Sequence, residues 1–205
     1  MLATVSLTKS PRSLRSKDRG LGWDGFIYRL LVQGDMPKGL KQTSGIIVIS
    51  SSATETGANT FTQAEIDLQL NVLDREVFVV TSVDINSGFP DSAAGANTNT
   101  RMSLSTTSRT TMGGLSNSNV LAVSNLGIRA AGFVDGGVAF QHLSPETPPA
   151  QLDYVGIIAT NNFFIQIEGT GNAGAKSGSV RVWGYRSQAS ADVFAALTQS
   201  ELLSQ

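Results

Sequence analysis

Between residues 65 and 72 the chain alternates without a break: Ile66, Leu68, Leu70 and Val72 interleave with Glu65, Asp67, Gln69 and Asn71. A repeat of two puts one set on a dry face and the other on a wet face, which suits a half-buried strand and not a helix. Other segments point the same way. Residues 46–49 (IIVI) form a β-branched run too short for a helix. Leu73-Asp74-Arg75 predicts a turn into a strand over 77–85 with two nearly apolar faces, and the two segments predict an antiparallel pair. Further strands are expected over 101–107, 120–128, 132–140, 155–160, 163–168 and 179–185.

Between these segments the connectors are long and polar. Residues 86–119 are rich in Ser, Thr, Asn and Gly and read as loops around one strand. Residues 144–149 (SPETPP) cannot be regular, because three prolines fix φ and remove backbone donors. The period then changes over 191–203 (ADVFAALTQSELL), where Ser190 is placed as an N-cap and Asp192 falls in the first turn. In that helix Val193, Ala196 and Leu197 share a face, and Phe194 and Leu197 stand three apart. Eight to ten short strands and one terminal helix predict an all-β fold, a jelly-roll-like antiparallel β-sandwich. The expected organisation is a flexible, extended basic arm over 1–22, a sandwich over 23–189 and a short C-terminal helix over 190–205. Residues 23–33 (WDGFIYRLLVQ) read as an early strand or an anchoring segment, and 35–39 break it with turn chemistry.

Charge is distributed unevenly. Residues 1–41 hold eight basic and three acidic side chains, whereas 42–205 hold seven and thirteen. The basic excess is densest at 9–19 (KSPRSLRSKDR), where Lys9, Arg12, Arg15, Lys17 and Arg19 face a single acid. Those five are the candidate contacts to phosphate, in nucleic acid or lipid headgroups, with an acidic protein patch or a plain solvated tail as the other readings. Charged residues overall are 15% of the chain, below the roughly 25% of an average soluble domain. Such a weakly charged, hydrogen-bonding surface suits extended contact with neighbouring subunits. The chain has no Cys, which removes thiol chemistry and Cys-based metal sites. No run of about 18 apolar residues is present, and the first residues lack the charge order of a secretory signal, so neither a span nor a cleavage is expected.

Each motif that suggests chemistry meets a structural reading. Residues 169–174 (GTGNAG) match G-x-G-x-x-G, but a dinucleotide loop must lead into a helix, and here a strand follows. A hairpin loop is expected instead. Asp84, Asn86, Gly88 and Asp91 resemble a calcium loop, with the glycine misplaced and no closing Glu, so a turn is expected. His142 is the sole imidazole, near Ser144 and Glu146 in the chain but without a nucleophile motif, and reads as a loop residue. Trp183 and Tyr185 should share one sheet face as packing residues. No catalytic, cofactor or metal residue is assigned.

The basic arm, the β-sandwich and the long polar loops together resemble the single jelly-roll coat proteins of small icosahedral viruses. The resemblance lies in architecture and rests on no diagnostic motif. It implies a structural virion protein, not an enzyme, that is made in the host cytoplasm and self-assembles into an icosahedral shell. It also implies Lys9, Arg12, Arg15, Lys17 and Arg19 facing the interior and the loops of 86–119 facing outward or toward neighbours. The partners so implied are copies of the chain, packaged nucleic acid or an internal membrane, and other virion proteins. The alternative is a β-sandwich glycan-binding or adhesion module using Trp23 or Trp183. A hydrolase built on two carboxylates comes last.

Overall fold

A computed structural model describes residues 37–130, 140–143 and 153–204. Ten strands follow in order: β1 (Leu40–Gln42), β2 (Ile47–Thr54), β3 (Thr62–Asp67), β4 (Glu76–Ser87), β5 (Asn97–Ser105), β6 (Val120–Arg129), β7 (Phe140–Leu143), β8 (Gly156–Ile158), β9 (Asn162–Thr170) and β10 (Ser177–Ala189). The helix α1 (Ala191–Leu203) closes the chain. All strand pairings are antiparallel. In the first sheet β10 is central, flanked on one side by β1 and β2 end to end and on the other by β4, then β8. The second sheet runs β3-β9-β5-β6-β7.

The pairings β2–β10, β3–β9, β4–β8 and β5–β6 nest one inside the next. The chain is therefore one long hairpin rolled into two sheets, with β10–β4 and β9–β5 formed by the rolling. That winding is the jelly roll. Between the sheets Phe78, Val80, Val83 and Ile85 of β4 and Val180 and Val182 of β10 meet Met102 and Leu104 of β5 and Phe163, Ile165 and Ile167 of β9, all buried. Fully burying one such side chain is worth about 1.5–3 kcal/mol, so the core suffices without disulfides.

The all-β sandwich and the helix over 191–203 agree with expectation, and several details do not. The alternating segment leaves its ladder at Asp67. The Asp67 carboxylate accepts the Gln69 N–H at 2.9 Å, Gln69 takes φ 50°, and Leu68 N–H turns to Asn161 O at 2.6 Å. Leu68 and Leu70 still bury themselves, whereas Val72 opens a short 3-10 turn (Val72–Asp74) and is half exposed. The expected pairing of this segment with the next strand fails, because β3 and β4 lie in opposite sheets. Alternation reports a dry face but not the sheet that supplies it.

The strand expected over 101–107 runs over 97–105, so residues 97–100 are strand and not loop. This is β5, a central strand whose Thr98, Thr100, Ser103 and Ser105 are buried. Three of these hydroxyls are bonded within the sandwich: Thr98 Oγ1 donates to Asp91 O at 2.6 Å, Ser103 Oγ to Gln166 Oε1 at 2.8 Å and Ser105 Oγ to Thr107 O at 2.7 Å. Asp84 and Asn86 belong to β4 rather than to a turn. His142 lies in β7, opposite Gly127 in register, and not in a loop. The 169–174 motif leads into a strand as expected, but its loop crosses from one sheet to the other and closes no hairpin. In α1 it is Phe194, with Val193 and Leu197, that packs, while Ala196 is exposed.

Candidate functional site

At one end of the sandwich three loops are tied by polar side chains. Glu55, buried after β2, accepts the Gly169 and Lys176 N–H groups at 2.6 and 2.7 Å. Asn172, also buried, accepts the Asp91 N–H at 2.9 Å and donates to Asn99 O at 2.8 Å. Asn59 reaches the Asn172 backbone at both its N–H and its carbonyl, each at 2.8 Å. Asp91 pairs with Lys176 and accepts the Ala173 N–H at 2.8 Å, and the Lys176 ammonium first and that N–H second hold its carboxyl below the usual value. Gly171 serves the crossing with φ 72° and an approach to Asn97 O so close that a Cβ would sit 2.5 Å away. Gly169, Gly171 and Asn172 of the G-x-G-x-x-G match thus serve to hold loops.

The outer face of the first sheet is divided. Over one half, α1 and Leu40 cover Val77 and Ala189 with Val193, Phe194 and Leu197. Ser190 caps the helix, its Oγ accepting the Val193 N–H at 3.4 Å. Glu201, near the far end, is buried and accepts the Ala159 N–H at 3.1 Å. Burial pushes its carboxyl up, against the pull of the Ala159 and Thr160 bonds. Over the other half no helix lies among the described residues. There β2, β10 and β4 align Ser50, Arg181 and Asp84 in one row and Val48, Trp183 and Ser82 in the next. The Arg181 guanidinium lies 5.9 Å from the Trp183 ring centre, over its face. A shallow groove of about 270 Å3 beside it is lined by Ser50, Asp84, Asn86 and Ser179.

The outer face of the second sheet is covered by the loop 106–119 through hydrogen bonds. Gln166, 0% exposed, accepts from Ser103 Oγ at 2.8 Å and donates to Ser105 Oγ at 2.7 Å and Gln63 Oε1 at 3.1 Å. Gln63 in turn takes the Arg109 N–H at 2.8 Å and donates to Ser108 Oγ at 2.8 Å. Arg109 Nη1 donates to Asn119 Oδ1 at 2.9 Å, and Asn119 donates to Thr107 Oγ1. This loop is anchored on its own sheet. Beyond it the same face opens into a well of about 290 Å3 over β9, β5 and β6, with Arg101, Arg129 and Asn99 on its rim.

One edge of the first sheet stays open. Among the described residues β2 pairs only with β10, and its sequence IVISSSAT carries no charge or proline. Val48 is 53% exposed there and Ile46, just before it, 70%. Leu73, Leu202 and Leu203 are further exposed apolar side chains.

Lys9, Arg12, Arg15, Lys17 and Arg19 lie outside the described residues, as do Trp23, Ser144 and Glu146. Among the described residues no three His, Cys, Asp or Glu side chains gather as a metal-binding group. Sequence reasoning missed Glu55, Gln63, Gln166 and the Arg101–Arg129 well. A signal existed only for Glu55, an acid alone in a run of Ser, Thr and Gly. The fold and these surfaces define a jelly-roll β-sandwich with an uncharged edge at β2 and two differently covered faces among the described residues. No protein-family model matches the chain, and no curated protein matches it.

Proposed function

We propose that the chain is a capsid subunit, a structural protein that assembles with copies of itself into a closed shell, with residues 9–19 turned to the interior. The observation that carries the reading is the jelly-roll winding with its bare edge. An uncharged strand of eight residues with Ile46 and Val48 exposed is a surface that solitary proteins blunt with charge, proline or a covering element. A neighbouring copy would cover it. Three features lend support: the low charge of the chain, the exposed Leu73, Leu202 and Leu203, and the five basic residues ahead of the sandwich. Glycan stacking on Trp183 is disfavoured, because Arg181 already lies over that ring.

Electron microscopy of the purified full chain tests the proposal. Closed particles of uniform size are expected. A protein that stays monomeric at every salt and protein concentration, without particles, overturns it.

A further inference from the structure

The edge of β2 also narrows which surface of a neighbouring copy can meet it. A strand edge offers a row of backbone N–H and C=O groups, and its complement is another strand edge. The described edges of this chain are sorted by charge and length. β3, at one edge of the second sheet, exposes Glu65 and Asp67. β7 and β8, at the other edges, have four and three residues, and β1 has three with Lys41 among them. Against β3, β2 would set apolar side chains beside carboxylates, and against the others it would lose most of its ladder. Against a second β2 neither cost arises, because both strands run to eight residues without a charge.

Register follows from the side chains. Two antiparallel strands related by a two-fold axis keep their faces, so each residue meets one from the same face and the axis passes a residue opposite itself. In β2, Val48 and Ser50 lie on the outer face, and Ile47 and Ile49 lie on the inner face against the core. With the axis at Val48, Val48 faces its own copy, and Ile47 faces Ile49 of the second copy. All three β-branched residues then oppose one another. An axis at Ile49 or Ser50 would set Val48 against a serine. An axis at Ile47 would draw in Ser44, whose N–H is already turned back to Arg186 O at 3.4 Å.

We infer that β2 pairs antiparallel with β2 of a second copy about a two-fold axis at Val48, joining the first sheets of the two copies into one. The inference rests on the subunit reading for the presence of a neighbour, and it adds which strand the neighbour supplies. Ile47 and Ile49, only partly buried within one copy, gain apolar partners across the junction.

The chain has no Cys, so a single substitution tests the axis. Residues directly opposite in an antiparallel pair have Cα atoms about 4.5–5.5 Å apart, inside the roughly 4.4–6.8 Å that a disulfide bridges. Under mild oxidation of the associated full chain, most Val48→Cys copies should link as dimers. Ser52→Cys, on the same face, should not link, because two such residues would stand about 27 Å apart. Val48→Lys, at a side chain 53% exposed, should leave the melting temperature unchanged and raise the concentration needed for association about tenfold. Val48→Glu should do the same, and mixing the two variants should restore association, since Lys then faces Glu. Ser52→Cys linking as readily as Val48→Cys overturns the inference, and so do charged variants that associate alone as well as the unaltered chain. Particles that form without a link at Val48 remove it and leave the shell reading standing. Val48-linked dimers without particles do the reverse.

Discussion

The two outer faces of the sandwich are covered by opposite means. On the first sheet α1 lays Val193, Phe194 and Leu197 over Val77 and Ala189, contacts that need proximity but little direction. On the second sheet the loop 106–119 is held by Gln63, Gln166, Ser103 and Asn119, contacts that work only at one register. An apolar cover can slide and repack at modest cost. A polar one is fully made or strongly penalised, since each buried group left unpaired costs about 1–3 kcal/mol. The helix is thus the adjustable cover and the loop the fixed one.

The sharpest way to break the contrast is Gln166→Ala. It strands Ser103, Ser105 and Gln63 and leaves a void, so a loss of roughly 3–5 kcal/mol is expected in chemical denaturation. A loss under about 1 kcal/mol would mean that the network is not what holds the loop. Phe194→Ala on the other face should cost less, about 1–2 kcal/mol, because the ring is only half buried and α1 can settle. Limited proteolysis should then cut α1 before it cuts the loop. If the loop is cut first, the order of the two covers is reversed.

The smallest effect should come from mild acid, and of the two covers it reaches only α1. Glu201 has its carboxyl raised by burial, so the folded chain binds its proton more tightly than the unfolded chain does. The benefit of that proton is complete below the unfolded value near 4.5 and disappears as pH rises through the raised folded value. Amide exchange in α1 should therefore slow on going from neutral pH into that window, after correction for intrinsic rates, while the loop 106–119 stays unchanged. Glu201→Gln should make the α1 response flat. A slope that survives the substitution would assign it to another group.

The helix was almost fully legible, because Ser190, Asp192 and the apolar spacing all act locally. The strands were legible as strands wherever short runs are dense in β-branched and aromatic residues, as at 46–49 and 163–168. Two things were not. The start of β5, residues 97–100, hides behind Asn and Thr, since a hydroxyl that bonds within the sandwich, as that of Thr98 does, looks in sequence like one that bonds water. The sheet to which β3 and β4 belong depends on β9 and β10, about a hundred residues away, and no local pattern carries that information. The well was invisible for the same reason: Arg101, Gly127 and Thr170 come from three separate strands.

The nested pairing also sets a timetable for synthesis. Arg181 meets Ser50 across 131 residues of chain, so β2 has no strand beside it until almost everything else has been made. At the usual 5–20 residues per second of translation, that is a wait on the order of ten seconds. During it an uncharged, β-prone segment stands with both edges open. Closing so long a loop makes folding slow even after release. Ser50 and Ser52 on the outward face, and Ser51 on the inward one, stand where further valines or isoleucines would make the waiting strand stickier.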